Sequence, residues 1–164
     1  MVTAKELREI LHYDPETGDF TWVRTQCPRL KPGDKAGSIN KRWNYIYIYV
    51  GGKGRRAHRL AWLYMTGEWP VQWIDHINGN GCDNRFKNLR ECNPSQNGFN
   101  SKLTKSTKSG LKGATWDSQT QMWRAVITVN RKTICRGRYK TAQEAHAVYC
   151  KMAKEFAGEF YRGA

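Results

Sequence analysis

Two periods of apolar residues alternate along the chain, and each predicts its own elements. Thr3 stands three residues before Glu6, a capping-box spacing, and Leu7, Ile10 and Leu11 follow at 3–4 spacing, so the chain opens on a short amphipathic helix. Asp14-Pro15-Glu16-Thr17-Gly18-Asp19 is turn chemistry, and Phe20-Thr21-Trp22-Val23 behind it predicts a strand. Period two is strictest in residues 45–50, which places Ile46, Ile48 and Val50 on one face and Tyr45, Tyr47 and Tyr49 on the other. The aliphatic face reads as core, and the tyrosine face packs on a helix or lies along nucleic acid. Gly51 to Gly54 close a hairpin, Arg55 and Arg56 begin the return, and His58 to Met65 predict a helix ended by Gly67 and Pro70.

Further on, Lys112–Trp116, Met122–Val129 and Lys132–Tyr139 predict three strands separated by polar turns, a meander. Thr141 and Glu144 form a second capping box ahead of Ala145, Tyr149, Met152 and Phe156, so a last amphipathic helix, running to Gly158, lies across that sheet. Between the two parts, residues 101–110 hold three lysines, no acid and almost nothing to bury, which is a linker composition. The expected organisation is an α+β chain with one module over 1–100, a basic linker over 101–110 and a second module over 111–164.

At 164 residues the chain is too short for a large doubly wound sheet or barrel enzyme. Mean hydropathy is −0.78, and no window approaches the roughly 18 uninterrupted apolar residues of a membrane span. The start MVTAKELREIL lacks the pattern of a secretory signal, so intracellular, cytoplasmic residence is expected. Seven tryptophans argue for a folded protein, since such rings supply buried area that disordered basic tails lack. The five cysteines are odd in number and none forms a C-x-x-C pair, so they read as reduced thiols, with neither a disulfide framework nor structural zinc. Net charge is +14, divided as +5 over residues 1–100 and +9 over 101–164. A folded domain this basic most often meets a polyanion, and without a basic amphipathic helix nucleic acid is a better partner than a membrane surface.

Residues 74–100, IDHINGNGCDNRFKNLRECNPSQNGFN, concentrate Asp, His and Asn around tight turns. A nuclease needs a base for water, a divalent cation for developing charge and a group that orients the base, and this stretch can supply all three. Asp75 and His76 are adjacent, so on a strand their side chains diverge. Asn78-Gly79-Asn80-Gly81 turns the chain, Asn88-Leu89-Arg90 returns as a partner strand, and Asn93-Pro94 caps and starts a short helix that carries Asn97.

Asp75-His76-Ile77-Asn78-Gly79, Asp83-Asn84-Arg85, Asn88-Leu89-Arg90 and Asn97 with Asn100, in this order and spacing, resemble the HNH (ββα-metal) motif in the variant of phage and intron homing endonucleases. The resemblance covers about 72–101. It implies His76 as general base, Asn88 as the residue orienting it, and Asp75 with Asn97 as ligands of one Mg²⁺ or Mn²⁺. Asn100 is an alternative ligand, because i and i+3 share a helix face. Asp83-Asn84-Arg85 reads as a loop brace, with Arg85 in reach of a phosphate. His58, beside Arg55, Arg56 and Arg59, is open to a phosphate contact or a structural place at a helix start, the second being favoured; His12 and His146 read as structural or exposed.

From Arg124 to Lys140 six basic residues occur without an acid. Alternation on the middle strand turns Trp123, Ala125, Ile127 and Val129 to the helix and Arg124, Val126 and Thr128 outwards, so the outer face is the candidate DNA face. Gly113-Ala114 before Trp116, Trp123-Arg124-Ala125, Gly137-x-Tyr139, Thr141-x-x-Glu144-Ala145 and Tyr149 to Ala153 resemble the APETALA2-type (ethylene-response) DNA-binding domain. Thr115, Thr128 and Cys135 stand where plant members carry arginine or tryptophan, so no base preference transfers, and Arg136 takes a position that is usually aliphatic and helix-facing. The DNA-contact candidates are Arg55, Arg56, Arg59, Arg85, Lys112, Arg124, Thr128, Arg131, Lys132, Arg136 and Arg138. Together these readings predict a Mg²⁺- or Mn²⁺-dependent, site-specific homing-type endonuclease acting on double-stranded DNA, a monomer that nicks. The alternatives are a non-cleaving DNA-binding regulator and an RNA-directed nuclease.

Overall fold

The computed structural model describes residues 1–25, 27–101 and 109–162. Most of the expected linker, 102–108, lies outside the described residues. The chain divides into two compact units, Met1–Glu91 and Cys92–Ala164.

In the first unit, α1 (Ala4–Ile10) starts on the expected capping box, with Thr3 and Glu6 bonding each other's backbone amides. Leu7 is fully buried. Leu11, expected as a helical position, instead opens β1 (Leu11–Tyr13), which pairs antiparallel with β2 (Phe20–Trp22) around the Asp14–Asp19 turn. Three strands, β3 (Ser38–Asn40), β4 (Tyr45–Val50) and β5 (Lys53–Arg56), form an antiparallel sheet in that order. β3 is exposed along its length and carries no alternation, so hydrophobic patterning had nothing to reveal it by. The return strand leads directly into α2 (Ala57–Thr66), which ends on Gly67 in the left-handed region at φ 87°. Leu7, Leu11, Tyr13, Phe20, Ile48, Leu60 and Leu63 make the core of this unit. On it rests the two-stranded sheet of β6 (Trp73–His76) and β7 (Leu89–Cys92), with a 3-10 turn over Phe86–Asn88 leading into β7.

α3 (Pro94–Asn100) begins on a reciprocal cap between Asn93 and Gln96, with Pro94 in its first turn. The expected first module kept this helix, but the compact division assigns it to the second unit. The reason is burial: Cys92 and Phe99 share a core with Ala125, Ile127, Ala145, Tyr149 and Met152. That core lies between β8 (Ala114–Asp117), β9 (Met122–Val129) and β10 (Lys132–Tyr139), an antiparallel meander, and α4 (Ala142–Ala157), which opens on the Thr141–Glu144 capping box. Asn130 and Arg131 both have positive φ, the two-residue turn whose twist matches a hairpin. Gly113, at φ 76°, abuts the Tyr149 ring so closely that a Cβ there would stand 2.0 Å from it. The register of β9 with β10 shifts between Cys135 and Arg138. All five cysteines are free thiols, and among the described residues no helix is long and apolar enough to cross a membrane.

Candidate active site and nucleic-acid faces

Asp75 and His76 end β6 and are both buried, 6% and 4% exposed. The His76 Nε2 lies 3.1 Å from the Asn84 Oδ1, an acceptor, so in the neutral ring Nε2 carries the hydrogen and Nδ1 the basic lone pair. Burial pushes His76 below its ordinary value, against the Asn84 hydrogen bond and the charges of Asp75 and Asp83. Burial therefore favours the neutral form of the ring.

Asn84 is held in turn from the amino-terminal hairpin. Tyr13 donates its hydroxyl to the Asn84 carbonyl at 2.6 Å, and the Phe86 amide donates to the Pro15 carbonyl at 3.0 Å. Gly18, at φ 78°, allows the turn to close, because a Cβ there would stand 2.5 Å from the Asn84 carbonyl carbon. Two rings complete the surroundings of His76. His58 lies 5.0 Å from it edge to face and Tyr45 5.8 Å away, while Tyr45 and His58 are themselves 5.2 Å apart. Sequence reading gave His58 only a phosphate contact or a helix-start role, and saw Asn84 only as a loop brace. The signal for both was a polar residue whose burial, 3% and 1% exposed, appears only in three dimensions.

Asn88 was expected to orient the imidazole. Its hydrogen bonds brace the preceding loop instead: Oδ1 accepts from the Asn78 amide at 3.0 Å, and Nδ2 donates to the Asn78 Oδ1 and to the Asp83 carbonyl. Arg85 is paired with Asp83, its Nε donating to Oδ1 at 2.7 Å, and this pairing holds the Asp83 carboxyl down to about 2. Arg90, singled out only as part of the motif, donates from Nε and Nη2 to the Asp75 Oδ2, each at 3.1 Å. Both partners are largely buried, so removing one leaves an uncompensated charge.

Asp75 offers a buried carboxylate oxygen, the donor type that suits a hard cation. Asn97 is half-buried and Asn100 buried on α3, in the second unit. Among the described residues no group of three or more His, Cys, Asp or Glu gathers.

The basic candidates separate by face. Arg56 lies on the tyrosine face of the first unit's sheet, its guanidinium 4.9 Å over Tyr45 and its Nε donating to the Tyr47 hydroxyl at 3.1 Å. Arg55 pairs with Ile48 on the opposite face and stacks at 5.1 Å over Trp69, and Arg59 donates to the Pro70 carbonyl. In the second unit the alternation is as the pattern required, with Ala125 and Ile127 buried and Thr128 exposed. Arg124 and Arg138 stand opposite each other on the outer face, joined there by Thr128 and Thr133. Arg131 and Lys132 are exposed at the hairpin. Two candidates are engaged elsewhere. Lys112 donates to the carbonyls of Gly98, Phe99 and Ser101 at 3.0, 2.8 and 2.8 Å, closing the carboxy-terminal end of α3. Arg136 reaches Glu155 of α4 at 3.1 Å, on the helix side of the sheet.

The family described as HNH endonuclease matches residues 55–99, which span His58, Asp75, His76, Asn84, Asn88 and Asn97. The chain is 35% identical over 122 residues to Protein 3.8 of Escherichia phage T7, covering 74% of this chain and 98% of that relative. It is also 35% identical over 118 residues to an uncharacterized HNH endonuclease of Acanthamoeba polyphaga mimivirus, covering 71% of this chain and 60% of that one. No solved structure matches. With a buried Asp-His pair at the end of a strand, a helix carrying the following asparagines and a phage relative matched over nearly its whole length, the chain belongs to the HNH endonuclease family, nucleases that act on DNA.

Proposed function

We propose that this chain is a divalent-cation-dependent, site-specific homing-type DNA endonuclease that nicks duplex DNA by hydrolysis, with the second unit holding the target. The observation that carries the reading is the buried His76, neutral and fixed through Nε2 by Asn84, beside the Asp75 carboxylate. Its Nδ1 takes a proton from water as the water attacks phosphorus in line with the departing 3′ oxygen, leaving a 3′-hydroxyl and a 5′-phosphate. Asp75 is the carboxylate ligand of Mg²⁺ or Mn²⁺, and the family resemblance supplies Asn97, with Asn100 as the alternative, as the amide ligand. When bound, the cation supplies Lewis-acid stabilisation of the phosphorane charge and of the leaving oxygen. Asn88 acts through the Asn78–Asp83 loop, and Arg90 fixes the direction of Asp75.

On the DNA side, Arg56 with the tyrosine face, and Arg124, Thr128, Arg131, Lys132 and Arg138 on the second unit's sheet and hairpin, are the contacts the geometry supports best. His76→Ala is expected to lower single-turnover cleavage of an end-labelled target duplex by at least a hundredfold, with affinity for that duplex within about threefold. Undiminished nicking by this variant would contradict the assignment of the base.

A further inference from the structure

The outer face of the β8-β9-β10 sheet carries an acid that the run from Arg124 to Lys140 does not contain. Asp117, the last residue of β8, precedes the turn to β9, and its Oδ1 accepts the Gln119 amide at 3.1 Å. That bond, with others from Thr120 and the charge of Arg124, outweighs burial and keeps the carboxyl below its ordinary value. The second oxygen, Oδ2, faces two arginines: it is 3.7 Å from the Arg124 Nε and 3.6 Å from the Arg138 Nε. Arg124 and Arg138 are direct cross-strand partners, and Thr115 completes the row. Like charges placed opposite each other repel, so one carboxylate set diagonally to both holds the pair together.

Stability does not account for this arrangement. The two arginine side chains are 38% and 54% exposed, and ion pairs of this kind contribute on the order of 1 kcal/mol or less. The orientation is more informative. In both arginines the atom nearest Asp117 is Nε, in ion-pair contact and not hydrogen-bonded to it, and the Arg124 Nε is buried without a hydrogen-bond partner among the described residues, so the terminal Nη groups are the part of each fork farther from the carboxylate. An unpaired arginine seeks any phosphate and carries no sequence information, whereas an arginine held from behind presents its fork in one direction. Two forks with one shared counter-charge also offer phosphates less attraction than two free ones.

We propose that Asp117 is a specificity residue. It pins Arg124 and Arg138 side by side for acceptor pairs on the base edges of duplex DNA, and it weakens their sequence-blind pairing with phosphates. This rests on the reading of the second unit as the target-holding part of the nuclease.

The test is duplex binding by the full chain across a salt series, on a random-sequence duplex and on the duplex that the wild-type protein selects from a randomised library. Asp117→Asn keeps an oxygen for the Gln119 amide and removes the charge, and Asp117→Ser does the same with a shorter side chain. Both variants are expected to bind the random duplex about five- to tenfold more tightly, with a salt dependence steeper by about one to two phosphate contacts. Their preference for the selected duplex over the random one should fall at least tenfold. A merely structural role gives the opposite sign, weaker binding to both duplexes with a lower melting temperature. Unchanged or weaker affinity for random DNA, or an unchanged preference, in either folded variant would overturn the proposal. Arg124→Ala with Arg138→Ala separates the two levels. If that pair leaves the salt slope unaltered, the sheet is not a DNA face and the wider reading fails; if it flattens the slope while Asp117→Asn is inert, only the role of Asp117 fails.

Discussion

His58 is 3% exposed and its Nδ1 has no hydrogen-bond partner among the described residues, a combination that costs folding free energy. Burial, and then the nearby His76, Arg56 and Arg59, push it down to about 3. A histidine lowered on folding is neutral in the native state while the unfolded chain takes a proton below its ordinary 6.5. Its contribution to stability is therefore full above about pH 6.5 and lost progressively as the pH falls towards 3, at about 1.4 kcal/mol per pH unit within that window. His58→Leu should flatten the decline of melting temperature between pH 7 and pH 4.5; parallel declines in variant and wild type would show that His58 is not the group being titrated. This residue was visible in the sequence but its environment was not. Its neighbours His76 and Tyr45 come from β6 and β4, so nothing local marked it out. The same holds for Asn84, whose contact with His76 runs between a strand end and a loop. Asp75 and His76, by contrast, were legible because the motif sets them side by side in the chain.

Elements that announce themselves by period and cap were readable almost to the residue. α1, α4 and α3 each begin on the cap that the sequence displays, because the cap is a bond between residues three apart. What could not be read was where α3 packs. Its first residues follow the β6–β7 pair in the chain, but Phe99 buries in the core of the second unit and Lys112 closes its end. Lys112 had looked like a phosphate contact because a lysine in a basic region carries no mark of its carbonyl partners. Lys112→Met should cost about 2–4 kcal/mol for the lost charge-assisted bonds and raise amide exchange over residues 94–101. The salt slope of DNA binding should not move. A smaller slope with unchanged stability would return Lys112 to the DNA interface.

On the scale of the whole molecule, the chain joins a unit with a buried Asp-His pair to a unit with a basic sheet. Charge arithmetic anticipated the second, at +9 over residues 101–164, but carries no information on which basic residues face an acid. Asp117 sits between Arg124 and Arg138, and Glu155 takes Arg136, so three of that unit's basic side chains face an acid of the same unit. The motif anticipated the burial of neither His76 nor Asp75, only their adjacency on a strand. The most direct measurement is therefore relaxation of supercoiled plasmid carrying the duplex that the protein selects from a randomised library, by the purified chain with Mg²⁺ or Mn²⁺ and with a chelator, followed by analysis of the new ends. The account predicts open circles formed only with the divalent cation, bearing a ligatable 3′-hydroxyl and 5′-phosphate. Plasmid that stays supercoiled with either ion, although the protein binds it, would contradict the account.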